Sequence, residues 1–81
     1  MKMETVALND QERRVFKRVA QTRLARVSEI SRDLNIDTST TLTILRALKG
    51  HSLVAEERSG SEMLSVYYLT TDGLAEARKL F

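Results

Sequence analysis

Up to Gly50 the apolar residues of this chain recur at intervals of three and four; beyond it they gather into two dense runs, Leu53 to Arg58 and Met63 to Leu69, before a helical spacing returns. Intervals of three and four place residues on one side of a helix, whereas short runs rich in valine, leucine and tyrosine suit strands. A chain with that order is confined to three helices, a hairpin and a last helix sharing one core. At 81 residues it is long enough for one such core and too short for two, so residues 1–81 are expected to form a single domain. There is no cysteine, so packing has to supply the stability without a disulfide framework or a thiolate metal site. With 42% hydrophobic and 30% charged residues, the chain is too apolar to remain disordered. It contains no internal repeat, linker or low-complexity segment.

Asn9 is placed to cap the first helix, with Glu12 three residues later completing a capping box and Leu8 ahead of the cap as a staple. That helix is expected to reach about Thr22, with Val15, Phe16 and Val19 as its apolar stripe and Ala20 at the border. Ser28 is the expected cap of a short second helix ending near Asn35, whose Ile30 and Leu34 meet the core. Asn35, Ile36 and Asp37 form a tight corner in which Ile36 can plug the angle between helices. Asp37 or Thr38 then caps a third helix running to Gly50, with Thr41, Ile44, Leu45 and Leu48 inward and Ser39, Thr43 and Arg46 on the opposite side. Threonine is a poor helix former, and its abundance in the first turns points to selection by something other than propensity.

The two later runs are expected to be joined across Ser59, Gly60, Ser61 and Glu62. Leu53, Ala55, Tyr67 and Leu69 can share one face of the hairpin, leaving Val54, Leu64, Val66 and Tyr68 on the other. A two-stranded element normally buries only one face, so the second apolar set either covers helix ends or meets a partner. Thr70 or Thr71 caps the last helix, in which Leu74, Ala77 and Phe81 recur at helical spacing.

Charge is nearly balanced, with 13 Lys and Arg against 11 Asp and Glu and a net of +2, but it is not evenly placed. Arg13, Arg14, Lys17, Arg18, Arg23 and Arg26 follow one another without an intervening acid, a weak lean toward an anionic partner on what is otherwise an ordinary solvated face. No stretch approaches the roughly 20 apolar residues that span a bilayer, and Met1 to Asp10 lacks the pattern of a signal peptide, so a cytoplasmic location and no membrane contact are expected.

Val27-Ser28-Glu29-Ile30-Ser31-Arg32-Asp33-Leu34-Asn35-Ile36 resembles the second helix and turn of the winged helix-turn-helix superfamily, and Thr38 to Leu48 looks like its recognition helix. Lys49 to Val54 is similar to the exit into the first wing strand, with Ser52 where a glycine is usual. Tyr67-Tyr68-Leu69-Thr70-Thr71-Asp72-Gly73 looks like the return strand and next helix of MarR-type, PadR-type and related archaeal regulators. The resemblance implies an α+β winged helix-turn-helix, with a three-helix core, a two-stranded β-hairpin wing and a carboxy-terminal helix. It also implies sequence-specific binding of double-stranded DNA by a homodimeric transcription regulator. Carried onto this chain, Ser39, Thr40, Leu42 and Thr43 would meet base edges, Ser28 would sit near a phosphate, and Arg58 with the Ser59 to Ser61 tip would approach the flanking backbone.

The chemistry of these residues agrees with that expectation. A helix fits the major groove, where hydroxyls donate to or accept from bases and a threonine methyl packs on thymine. Arg46 and Lys49, one and two turns further on, suit backbone phosphates, which make binding salt dependent. Other features point elsewhere. Leu42 can contact a thymine methyl, pack at the core edge or join a protein interface, and Arg58 stands among Glu56, Glu57 and Glu62, acids that phosphates repel. The alternative is therefore a winged helix that binds protein, through the hairpin, or RNA within a larger assembly. An enzyme is not expected: there is no nucleophile triad, no paired carboxylate in a cleft and no phosphate loop, and Glu56-Glu57 reads as a solvated pair. A lone His51 cannot hold a metal, and no cofactor is implied.

Overall fold

Asn9 ends an extended approach and starts α1 (Asp10–Gln21): its side chain accepts the Glu12 N–H at 2.8 Å while the Glu12 carboxylate accepts the Asn9 N–H at 2.9 Å. The expected capping box is formed, and Leu8 packs against the core ahead of it. Val15, Phe16 and Val19 are fully buried. The computed structural model describes residues 8–22 and 24–81; the segment examined above for a leader, up to residue 7, lies outside them, as do Arg23 and the side chains of Ser59, Glu62 and Met63.

After α1 the chain makes a two-residue strand, β1 (Ala25–Arg26), that the sequence pattern did not announce. It leads directly into α2 (Val27–Leu34), and this moves the start of that helix forward from the expected cap. Arg26 occupies the cap position in extended backbone, held by pairing with Val66, and Glu29 accepts its N–H at 3.4 Å. Ser28 lies inside the first turn instead. Asn35 ends α2 in the left-handed conformation, φ 56°, which asparagine tolerates better than most residues. The Ser31 hydroxyl donates to the Ile36 carbonyl, and Ile36 is buried in the corner as the spacing required.

Asp37 stands at the cap position of α3 (Thr38–Gly50) in extended backbone, without a side-chain capping bond, and Thr41, Ile44, Leu45 and Leu48 of the helix are all buried. The exit turns through Ser52 at φ 63°, the position where glycine was the expected residue. The hairpin follows as β2 (Val54–Ser59) and β3 (Ser61–Leu69), and β1 adds to its free edge to give a sheet in the order β1-β3-β2. Ser59 pairs with Ser61, so the tip narrows from the four residues expected to Gly60 alone, at φ 87°.

The register corrects the assignment of faces. Val54 pairs with Leu69 and Glu56 with Tyr67, so Val54, Glu56, Ser65, Tyr67 and Leu69 face the helices, and Ala55 goes outward with Val66 and Tyr68. Leu53 is buried, but in the turn before the strand, so counting alternation from it slips the first strand by one residue.

Thr70 caps α4 (Thr71–Leu80) by accepting the Gly73 N–H, and its hydroxyl donates to the Ser52 carbonyl at 2.6 Å. The inward side of α4 is Gly73, Glu76, Ala77 and half-buried Leu80, rather than the expected row of Leu74, Ala77 and Phe81. Gly73 explains the rotation. Its backbone is pressed so closely to Leu53 that a Cβ would meet the Leu53 carbonyl oxygen at 1.9 Å, and this contact turns Leu74 outward, while Phe81 is half exposed with its ring against Phe16. Among the described residues no helix is long and apolar enough to cross a membrane.

Candidate nucleic-acid interface

Packing of one side of α3 into the core leaves Ser39, Thr43 and Arg46 exposed on the other, one helical turn apart, with Thr40 half-buried beside them. The face is therefore open on the protein itself. Its first turn is organised by Asp37, whose carboxylate accepts the Ser39 hydroxyl at 2.9 Å and the Thr40 hydroxyl at 3.1 Å. Donation from Ser39, and then from Thr40, holds the Asp37 carboxyl below the usual aspartate range. One turn further on, the Thr43 hydroxyl donates to the Ser39 carbonyl at 3.0 Å.

Leu42 is half-buried and packs against the core, the second of the three placements left open for it. Ser28 is exposed in the first turn of α2. Ser28 lies at the end of α2 away from the plugged corner at Ile36, while Ser39 and Thr40 lie directly after that corner.

Two expected phosphate contacts carry intramolecular ties. Lys49 reaches from the end of α3 to Glu56 on β2 at 2.9 Å, and Arg58 lies 3.5 Å from the same carboxylate. Glu56 is not half of a solvated pair: its side chain is only 4% exposed, on the inner face of the hairpin beside Ser65. The Ser65 hydroxyl, followed by the Lys49 ammonium, keeps its carboxyl below the usual glutamate range against the opposing effect of burial. The acid is thus neutralised inside the wing by the cations on either side of it, which removes part of the repulsion anticipated from the hairpin. The pair joins residues seven apart across the helix exit, so the spacing within a single helix or strand does not announce it.

Three cations of the basic run on α1 are similarly occupied. Arg14 donates to the Leu34 carbonyl at the end of α2 at 3.1 Å, Arg18 binds Asp33 with its Nε at 3.1 Å, and the Lys17 ammonium lies 5.8 Å from the centre of the Phe81 ring. Two of these cations tie α1 to α2 and the third ties it to the end of α4. An apolar groove runs beside them between α1 and α4, lined by Ala20, Leu69, Leu74, Ala77 and Phe81 with Lys17 at its rim. No α3 residue lines it.

No family model matches the sequence, and no curated protein is similar to it. Solved structures are. A double mutant of ZitR from Lactococcus lactis is similar with a TM-score of 0.81 and 18% identity, over 93% of this chain and 51% of that one. A MarR family regulator from Neisseria meningitidis is similar with a TM-score of 0.82 and 22% identity, over 90% of this chain and 52% of that one. The fold is a winged helix-turn-helix. PcaV from Streptomyces coelicolor, a transcriptional regulator solved with its natural ligand, shares this winged helix-turn-helix with a TM-score of 0.78 and 19% identity, over 90% of this chain and 52% of that one. The chain spans about half the length of these solved structures. Within the winged helix-turn-helix, α2 and α3 are the helix pair and β2 and β3 the wing.

Proposed function

We propose that this protein is a DNA-binding transcription regulator, acting inside the cell, that reads double-stranded DNA with α3 in the major groove and sets its wing against the flanking backbone. The observation that carries this reading is the exposure of Ser39, Thr43 and Arg46 on the side of α3 opposite its core residues, in a fold shared with regulators. A B-DNA major groove is about 12 Å wide and accepts one helix, so a face of this length can reach several base pairs. Thr40 and Leu42 flank it, and Ser28, exposed in the first turn of α2, is assigned to an adjoining phosphate.

Phosphate contact is assigned to Arg46, Lys49 and Arg58. Lys49 and Arg58 share their charge with Glu56, which reduces their pull on a phosphate. The protein binds as a homodimer through the α1 and α4 groove, where Leu74 is 45% and Phe81 49% exposed, far more than side chains of that size need be in a monomer's core helix. Because α3 does not line this groove, a second copy seated there leaves both reading faces open. Two-fold pairing presents the two helices to successive major grooves when they lie roughly 34 Å apart. No cofactor or catalytic step is part of this function.

The test is fluorescence anisotropy against a pool of duplexes at two salt concentrations. Arg46→Ala and Lys49→Ala should each weaken binding to every duplex and lower the salt slope, by up to about one. Thr43→Ala should cost roughly 1 to 3 kcal/mol on the preferred site and little on others. Equal, weak affinity of the parent and all three variants for every duplex would remove α3 as the reader. The alternative assignment to a protein partner retains one observation in its favour, the outward Leu64 and Tyr68 of the hairpin, 61% and 36% exposed.

A further inference from the structure

The hydroxyls at the start of α3 are not interchangeable donors and acceptors, because each has only one proton and the structure shows where that proton goes. A serine or threonine hydroxyl offers one O–H and two lone pairs, whereas an ionised carboxylate and a backbone carbonyl can only accept. Ser39 and Thr40 both hydrogen-bond to the Asp37 carboxylate, and Thr43 hydrogen-bonds to the Ser39 carbonyl. In all three contacts the hydroxyl has to be the donor. Its proton is turned back toward the protein, and the side that faces outward carries lone pairs.

Resting on the assignment of α3 to the major groove, we propose that Asp37 is a specificity-determining residue: by drawing in the hydroxyl protons of Ser39 and Thr40 it turns this end of the helix into an acceptor surface for the exocyclic amino groups of adenine and cytosine. In the major groove adenine N6 and cytosine N4 are the donors, and guanine O6 and N7, adenine N7 and thymine O4 are the acceptors. Lone pairs on Ser39, Thr40 and Thr43 match the first group and oppose the second. To serve a guanine or thymine instead, Ser39 or Thr40 must release Asp37, leaving an exposed carboxylate beside bases that offer it no donor. Asp37 stays ionised at neutral pH, its carboxyl being held below the usual range by the same two hydroxyls, so the polarity is maintained under ordinary conditions. Thr43 has the same polarity by a different route, through the helix backbone, and does not depend on Asp37.

Base-analogue interference separates this from a general role in helix capping. A preferred duplex is first enriched from a pool with a random core of about 20 base pairs, enough for two half-sites. Within that duplex single adenines are replaced by purine and single cytosines by 2-pyrimidinone, which remove the amino groups; in a parallel series purines are replaced by their 7-deaza analogues, which remove the N7 acceptor. The parent protein should lose about tenfold or more at amino-deleted positions in each half-site and change less than twofold for 7-deaza replacements at the same pairs. In Asp37→Ser, which retains a helix-capping side chain but no carboxylate, the penalty at the positions read by Ser39 and Thr40 should fall to about threefold or less, and the penalty at the position read by Thr43 should persist. Circular dichroism of Asp37→Ser establishes that α3 is intact.

An enriched duplex whose binding is weakened by Arg46→Ala, yet which responds to 7-deaza replacement and not to amino deletion, overturns the polarity assignment and leaves DNA binding standing. Unchanged interference by Asp37→Ser overturns the role of Asp37. Failure of any duplex to be enriched overturns both the DNA-binding assignment and this one.

Discussion

Lys49 at the end of α3 and Glu56 on the first wing strand are joined by a 2.9 Å ion pair in which the partners are unequally buried, 52% of the lysine side chain and 4% of the glutamate side chain being exposed. The pair ties the end of α3 to the first strand of the hairpin. Its two halves should not be equivalent in mutation. Removing Glu56 leaves Lys49 and Arg58 free to turn into water, so Glu56→Gln should cost on the order of 1 kcal/mol. Lys49→Ala leaves a desolvated carboxylate with one fewer counter-charge and should cost about 1 kcal/mol more. Urea unfolding of both variants measures the difference, and a smaller loss for Lys49→Ala would contradict this account of the wing.

Among the described residues three carboxyls are held below their ordinary ranges: Asp33 chiefly by the hydrogen bond from Arg18, Asp37 by Ser39, and Glu56 by Ser65 and Lys49. A carboxyl whose folded-state value is depressed binds its proton more weakly when folded than when unfolded. Its contribution is complete above the unfolded value, near 4, and is lost as pH falls through the lower folded value. The melting temperature should therefore be level from about pH 7 to 5 and decline below about pH 4. Asp33→Asn should lower it at pH 7 and make the acid side of the profile shallower. An unchanged profile in that variant would show that the Arg18 to Asp33 contact has no part in acid sensitivity.

Gly73 and Gly50 make opposite predictions from the same substitution. A Cβ on Gly73 would lie 1.9 Å from the Leu53 carbonyl oxygen and 2.9 Å from its carbon, backbone atoms that cannot rotate away, so α4 must lift off the hairpin base. Gly73→Ala should cost about 2 to 3 kcal/mol. Gly50 ends α3 with nothing within 4 Å of a built Cβ, and Gly50→Ala should gain about 0.5 to 1 kcal/mol through helix propensity and the narrowed unfolded state. Thermal melts of the two variants settle the sign of each.

How far the sequence could be read depended on whether a feature was local. The bounds of α3 and its four inward residues were legible because Asp37 and the spacing of three and four are properties of one segment. The inner face of the wing was not, because it is decided by the pairing of Val54 with Leu69 and because two of its members, Glu56 and Ser65, are polar residues buried through contacts outside their own strand. β1 is two residues long and exists only against β3, so no pattern in Ala25 and Arg26 could announce it. The outward turn of Leu74 depends on how closely Gly73 approaches Leu53, a tertiary fact that helical spacing does not contain. Of the candidate site, the open α3 face was legible as the polar side of an amphipathic helix. The capture of Lys49 and Arg58 by Glu56 was hidden by the same slip in register that misplaced Ala55.

The proposed dimerisation through the α1 and α4 groove can be tested apart from folding, because the side chains flanking the groove are half exposed in the single chain. Leu74→Asp with Phe81→Asp places two charges where a second copy would bury apolar surface, and the monomer needs neither side chain for its main core. Phe81 does contact Phe16, with ring centres 5.8 Å apart, so a loss of about 1 kcal/mol in monomer stability is expected from that substitution alone. Sedimentation equilibrium should show the parent as a dimer and the double variant as a folded monomer. Affinity for a duplex with two half-sites should fall far more than affinity for one half-site, since a monomer loses the second set of contacts without losing the first. A parent that sediments as a monomer at all accessible concentrations, or a double variant that remains dimeric, would move the subunit contact away from this groove, leaving the outward face of the hairpin as the next apolar surface to test.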